Sequence, residues 1–188
     1  MMHQVENIQL IRRCQEGDSV AIEALVRTYK SLAYRLALSI LDDPAEADEA
    51  TQDTFVAVFS KLGSYRGEAK FTTWLYAITL NVCRGRLRQR RARMRLAQVW
   101  RALFRLQGEA EPHPEQVVMQ NEMDAALWWA IKQLDDRLRE TIILRYYHQL
   151  SLQEIGQAQG VSERTIRTWL HHAHERLRVL LMEKVEIR

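Results

Sequence analysis

Apolar residues recur along this chain with the period of an α-helix almost from end to end. Residues 7–14 form a short amphipathic segment in which Ile8, Leu10 and Ile11 are apolar. Gly17 breaks it, and Asp18 or Ser19 can cap a new helix. From Ala21 the apolar positions Ile22, Leu25, Val26, Tyr29, Leu32, Ala33, Leu36 and Ile40 fall on one face. Asp42, Asp43 and Pro44 end that helix and start the next, since proline is favoured at a first helical position. Residues 45–62 read as a two-faced helix. Ala50, Phe55, Val58, Phe59 and Leu62 can serve a core, while Asp48, Glu49, Gln52 and Asp53 give an acidic face. Gly63 is expected to stop it. A polar loop, 64–70, leads into a helix from Phe71 with Leu75, Ile78, Thr79 and Val82 on one side. Leu96, Val99, Trp100, Leu103 and Leu106 carry the amphipathic pattern on to Gly108, and packing is the favoured role for this stripe.

The periodicity then fails over 108–115, G-E-A-E-P-H-P-E, a linker composition and a domain boundary. Beyond it Val117, Asn121, Asp124, Leu127, Trp128, Ile131 and Leu134 form one helical series. Asp135 or Asp136 can cap the next helix, with Leu138, Ile142 and Tyr146 on one side, and 148–150 is a short turn. Ser151 and Glu154 have the spacing of a capping box. Gly160 supplies a tight turn, Ser162 caps the last helix, and Gly156 is small enough to let two helices approach. Val161, Ile166 and Leu170 can fill the space between them. The spacing predicts a helix-turn-helix, favoured over a plain helical hairpin, with Glu163, Arg164, Arg167, Thr168 and His171 exposed at the start of the second helix. The fold expected is therefore all-α, two small helical domains at 1–95 and 116–188 joined by a linker at 96–115.

Composition changes the picture in a few places. An apolar content of 47% permits real cores, and only seven glycines and three prolines in 188 residues favour helices over many short strands. No apolar run is long enough to cross a bilayer, no N-terminal signal peptide is visible, and Cys14 and Cys83 lack metal-ligand spacing. The net charge is only +3, so the basicity is local. Arg84, Arg86, Arg88, Arg90, Arg91, Arg93 and Arg95 place seven positive charges in twelve residues with no acid among them. Such a field suits a polyanion. Tyr65, Phe71, Trp74 and Tyr76 lie just before it, and unpaired bases need an aromatic face to stack on and a basic groove to follow. Asn81 lies near the Trp74 side of the helix, where an amide can read a base edge. A solvated basic face beside core aromatics is the competing reading. His171 and His174 share a helical face, but no Cys or Glu stands at ligand spacing, so no metal is expected. Paired carboxylates in a cleft, a phosphate-cradling glycine loop and a nucleophile constellation are all missing. No enzymatic activity, cofactor or small-molecule substrate is expected. The alternatives are a stand-alone helix-turn-helix regulator, which leaves 48–95 unexplained, and a protein-binding helical adaptor, for which the arginines are surplus.

The order of these features resembles a bacterial sigma factor of the sigma-70 family, in its extracytoplasmic-function (ECF) group, over nearly the whole chain. The most specific matches are D-E-A-T-Q-D-T-F-V-A-V-F at 48–59 and S-Y-R-G-E-A-K-F-T-T-W-L-Y-A-I-T-L-N at 64–81. Residues 162–178 match less specifically, because many regulators share a helix-turn-helix. The resemblance implies that Asp48, Gln52, Asp53 and Phe55 lie on or beside the helix that docks on the beta-prime clamp of core RNA polymerase. It implies that Tyr65, Arg66 and the loop to Lys70 capture an unpaired minus-ten base, that Phe71, Trp74 and Asn81 border that element, and that Arg84 and Arg88 hold its phosphates. The C-terminal domain would bind the polymerase beta flap and read minus-35 promoter DNA through Arg164, Arg167, Thr168 and His171. An anti-sigma factor, and through it a hold at the inner membrane for an otherwise cytoplasmic protein, is a further expectation from the resemblance. Trp169, His171, His172 and His174 depart from the arginine-rich family pattern.

Overall fold

The computed structural model describes the backbone of residues 2–104 and 122–186 and the side chains of 8–96 and 125–183. The chain divides into two compact units, Met1–Pro112 and His113–Arg188. Among the described residues all regular secondary structure is helical.

In the N-terminal unit, α1 (Met2–Gln15) leads to α2 (Ser19–Leu41), α3 (Pro44–Lys61) and α4 (Phe71–Phe104). The punctuation follows the side chains. Of the two candidate caps, Asp18 is the one used: its carboxylate accepts the amides of Val20 and Ala21 at 2.9 and 3.2 Å. A hydrogen bond from Arg13, then those amides, hold the Asp18 carboxyl below its usual pKa. Between α2 and α3, Asp42 takes the left-handed conformation with φ 58°, Asp43 accepts the amide of Glu46 at 2.8 Å, and Pro44 opens α3. The core is built from Ile11 and Cys14 of α1, Leu25, Tyr29 and Ala33 of α2, Phe55 and Val58 of α3, and Leu75 and Ile78 of α4.

Two expectations about this unit change. α3 does not stop on a left-handed glycine. It tightens into a 3-10 turn, Leu62–Ser64, because buried Leu62 stays anchored in the core and keeps the chain coiling through Gly63. Helix α4 also continues past Arg95 to Phe104, taking the backbone at Val99, Trp100 and Leu103 with it. The remainder of the anticipated linker, Leu106 and 108–115, lies outside the described residues, as do Val117 and Asn121.

In the C-terminal unit, α5 (Glu122–Gln133) and α6 (Asp136–Ile142) precede α7 (Leu152–Gln159) and α8 (Glu163–Glu186). Asp135, and not Asp136, caps α6, accepting the amides of Arg137 and Leu138. The end of α6 departs from sequence reasoning. The helix widens into a π-helical segment, Ile143–Tyr147. Its slower winding carries Tyr146 off the buried stripe, so Tyr146 is exposed while Ile142, Ile143 and Leu144 are buried. Within the helical series read from 117–134, Leu127 is exposed, while Ile131 and Leu134 are buried.

The α7–α8 turn follows the sequence closely. The Ser151–Glu154 capping box is complete on both sides, and Gly160 adopts φ 73°. A Cβ on Gly156 would stand 2.8 Å from the backbone oxygen of Val161. Backbone cannot swing aside as a flexible side chain can, so Gly156→Ala must force α7 and the turn apart. The expected cost is about 1–3 kcal/mol, as for other overpacked sites. Thermal unfolding of the isolated substitution, read as a lowered Tm with helix content retained below the transition, checks this.

Candidate nucleic-acid interface

Tyr65 is the hinge of the first surface. Its hydroxyl donates to the carbonyl of Ala69 at 2.7 Å, which closes the loop 65–69 around the ring. Burial raises the Tyr65 phenol above its usual pKa, so the ring stays a neutral donor. Gly67 provides the positive φ, 76°, that the loop needs at its apex. From beneath, Gln15 of α1 donates to the carbonyls of Leu62 and Tyr65 at 2.9 and 3.4 Å. Nothing in the spacing of Gln15 marks it for this role, because its partners are about fifty residues away and both are backbone.

The aromatic rings form a graded stack. Tyr29 and Phe71 have centroids 4.8 Å apart, Phe71 meets Tyr65 edge-on at 5.6 Å, and Tyr65 and Trp74 lie 5.1 Å apart. Phe71 is only 5% exposed. It is therefore the floor of the cluster and not a residue bordering a nucleic acid: its ring is already covered by Tyr29, Tyr65 and Trp74. Tyr65 and Trp74, both half-buried, form the accessible rim. Beside them is an open hollow of about 450 Å³ lined by Ser64, Tyr65, Arg66, Gly67, Glu68, Ala69 and Trp74. Rings on one side, loop backbone on another and the exposed Arg66 at the edge suit a flat heteroaromatic group tethered to an anion. Lys70 is exposed where the chain enters α4 and does not line the hollow.

Along α4 the arginine run splits by helical geometry. Successive residues are rotated by about 100°, so Arg84, Arg88, Arg91 and Arg95 share a narrow stripe. Trp74 and Asn81 lie within about 80° of that stripe. Asn81 is exposed, and its side-chain oxygen is 3.5 Å from Nη1 of Arg84. The hollow and this stripe thus form one surface: stacking rings first, an amide next, then cations. Arg86 and Arg90 lie on the opposite side and face α3. Arg86 contacts Glu49 at 2.8 Å and Asp53 at 2.5 Å, and Arg90 stands 3.8 Å from Glu46.

The acidic face of α3 is real but differs in detail from the sequence reading. Asp48, Gln52 and Asp53 are exposed, whereas Phe55 is buried and packs near Phe59 with centroids 6.2 Å apart. Phe55 therefore supports the helix from inside. Val56, not anticipated, is 70% exposed amid the acids. Its position, four residues after Gln52 and three after Asp53, is the signal that marks it.

In the C-terminal unit, Arg164, Arg167, Thr168 and His171 are all exposed on α8, as the helix-turn-helix spacing predicts. Arg167 is engaged by Glu163 one turn earlier at 2.5 Å. Trp169 turns toward α6, where the Arg137 guanidinium lies 5.6 Å from its ring centre. His174 shares a 2.9 Å hydrogen bond with the Tyr146 hydroxyl. Among the described residues no group of three His, Cys, Asp or Glu side chains is placed to hold a metal ion, and no helix is long and apolar enough to cross a membrane.

Comparison with known proteins adds an independent line. Residues 25–93 match the family model described as sigma-70 region 2, and residues 130–179 match sigma-70 region 4. The RNA polymerase sigma-H factor of Pseudomonas aeruginosa is 30% identical over 181 residues, 93% of each chain. The ECF RNA polymerase sigma factor SigW of Bacillus subtilis is 29% identical over 178 residues, covering 92% of this chain and 95% of that one. Among solved structures, CnrH in complex with the cytosolic domain of CnrY aligns with a TM-score of 0.64 at 25% identity, over 93% of this chain and 96% of that one. RpoE of Bartonella quintana, solved with the anti-sigma factor NepR, aligns with a TM-score of 0.63 at 21% identity, over 85% and 96% of the two chains.

Proposed function

This chain belongs to the sigma-70 family of RNA polymerase sigma factors, in its ECF group, and directs promoter-specific initiation; on that premise we propose how its surfaces divide the work. The acidic face of α3, with Asp48, Gln52, Asp53 and the exposed Val56, docks on the beta-prime clamp of core polymerase. The hollow walled by Tyr65 and Trp74 takes an unpaired base of the minus-ten non-template strand. Asn81 borders that strand, and Arg84 and Arg88 hold its phosphates. Helix α8 enters the major groove of the minus-35 element with Arg164, Arg167, Thr168 and His171, while the C-terminal unit also meets the beta flap. The domain division follows the two units, with the connection falling after α4.

The observation that carries this reading is the continuity of rings, amide and cations along one side of α4. A duplex offers phosphates but no open base, so the hollow adds affinity only once the strand is melted. Unstacking costs a few kcal/mol per step, and stacking on an aromatic returns roughly 1–3 kcal/mol per base. The difference in affinity between melted and paired DNA moves the equilibrium toward the open form without nucleotide hydrolysis. The chain itself then performs no covalent chemistry, works in the cytoplasm beside the polymerase, and is subject to sequestration by an anti-sigma protein, as NepR is bound to RpoE in the structure cited above.

Binding of the assembled holoenzyme to fork-junction DNA tests the division. Intact holoenzyme is expected to retain forks with a single-stranded minus-ten segment, and core polymerase alone is not. Arg167→Ala is expected to cost about 1–3 kcal/mol only on forks that carry the matching upstream duplex element, the worth of one base contact. A uniform loss on all forks makes Arg167 a phosphate contact, and equal retention of single-stranded and fully paired fragments contradicts the base hollow.

A further inference from the structure

Arg86 lies in the middle of the arginine run yet belongs to a different surface. Its Nη1 donates to Oε2 of Glu49 at 2.8 Å, and its Nε and Nη2 both donate to Oδ2 of Asp53, at 3.2 and 2.5 Å. The Arg86 side chain is 21% exposed, against 67% for Glu49 and 56% for Asp53. The cation is thus enclosed between α3 and α4, and the acids lie above it, open to solvent. Burial works against the charged guanidinium, but the hydrogen bonds to Glu49 and Asp53 outweigh it and set its pKa above the usual arginine value. One turn further along α4, Arg90 repeats the motif more loosely, 3.8 Å from Glu46 and 3.5 Å from the carbonyl of Leu41.

We infer that Arg86 is a positioning residue for polymerase docking, and not a promoter contact. The inference rests on the reading that α3 faces the polymerase. Glu49 and Asp53 are one helical turn apart, a spacing at which like charges repel and splay. A single guanidinium fork gripping both holds them in one geometry. Each carboxylate has about four acceptor sites, and Arg86 engages one oxygen of each acid. The second oxygen can then face a cationic side chain of the partner. Docking onto acids already held in place loses less side-chain freedom than docking onto two mobile ones. The same grip ties the polymerase-facing helix to the helix that carries Trp74, Asn81, Arg84 and Arg88.

Two readouts separate this role from the alternatives, both made on the full chain. The first is affinity for core polymerase, measured by competition. The second is the salt dependence of promoter binding by holoenzyme at saturating core. Arg86→Gln is expected to weaken core binding roughly fivefold, the upper end of what one solvent-exposed ion pair contributes. It is expected to add nothing in a Glu49→Gln, Asp53→Asn background, because its action passes through those acids. The promoter salt slope should stay unchanged with Arg86→Gln and fall by about one with Arg88→Gln. Arg86→Lys keeps the charge without the fork and covers the event that the glutamine variant does not fold; it should give an intermediate core affinity and an unchanged slope. Unchanged core affinity with a reduced salt slope overturns the inference in favour of a promoter contact. A full additional loss in the acid-neutral background overturns it in favour of mere fold support. If Asp48→Arg leaves core affinity intact, the docking reading of α3 itself fails, and the inference falls with it; if Asp48→Arg weakens binding and Arg86→Gln does not, the inference alone fails.

Discussion

Trp74→Ala is expected to slow open-complex formation by about 5- to 150-fold while leaving affinity for core polymerase nearly unchanged. The range is the rate equivalent of roughly 1–3 kcal/mol of base stacking lost at the step where the strand becomes unpaired. Trp74 is suited to this because it is half-buried: one part packs on Phe71, at a centroid distance of 5.6 Å, and the rest forms a wall of the hollow. Removing it opens the hollow without emptying the core below. Tyr65→Ala should show the same kinetic loss and also loosen the loop, since it deletes the hydrogen bond to Ala69. Tyr65→Phe separates the two contributions. It keeps the stacking ring and loses only the 2.7 Å hydroxyl contact, so it should cost far less than the alanine change. Phe71→Ala, by contrast, should behave as a core mutation, lowering stability by about 3–5 kcal/mol. Stopped-flow fluorescence of a promoter labelled in the minus-ten segment, alongside core-binding competition, checks the set. Equal losses of melting and core binding on Trp74→Ala contradict the assignment.

Asp48→Arg is expected to produce the opposite pattern, a loss of core binding by about tenfold or more, ~1.4 kcal/mol, with normal melting once core is saturating. Asp48 is the cleaner position for charge reversal on α3. It is exposed, whereas Asp53 carries the Arg86 ion pair at 2.5 Å. Asp53→Arg would bring two guanidinium groups together across α3 and α4 and disturb the fold of the face as well as its charge. Competition binding at two ionic strengths checks the prediction, because an interaction between exposed charges weakens with salt. Unaltered core affinity for Asp48→Arg would remove α3 from the docking surface.

Much of the fold was legible in the sequence because local chemistry and the global pattern agree. Asp18 caps because its short carboxylate reaches the first amides of α2. Asp42, Asp43 and Pro44 separate two helices by a left-handed residue, a cap and a fixed φ in turn. Ser151, Glu154, Gly156 and Gly160 each have a single physical use in the α7–α8 turn, and each is put to it. Features that depend on tertiary context were not legible in this way. The π-helical winding at Ile143–Tyr147 carries no local signature, so helical spacing alone places Tyr146 on a face it does not occupy. Gly63 reads as a stop, but buried Leu62 holds the chain in a 3-10 turn.

The candidate site divides along the same line. Composition points to rings and arginines on one helix; it does not say that Phe71 is the floor and Trp74 the wall, because both fit a helical apolar stripe. The run of seven arginines gives no sign by charge alone that Arg86 belongs to α3's acids. Helical phase would have separated Arg86 from Arg84 and Arg88, which share a stripe with each other and not with it. Phe55 and Val56 show the same lesson on α3. The larger apolar residue turns inward and the smaller one outward, and only their phase relative to Ala47, Ala50 and Val58 distinguishes them.

Multi-round transcription with purified core polymerase on a pool of random promoter fragments, with and without this protein, tests the central claim most directly. The account predicts new transcripts that depend on the protein and share two spaced upstream motifs, with the downstream motif lost as a requirement for binding when Tyr65 and Trp74 are both replaced by alanine. Tight binding of the protein to duplex fragments in the absence of polymerase, with no new transcripts in its presence, would contradict it.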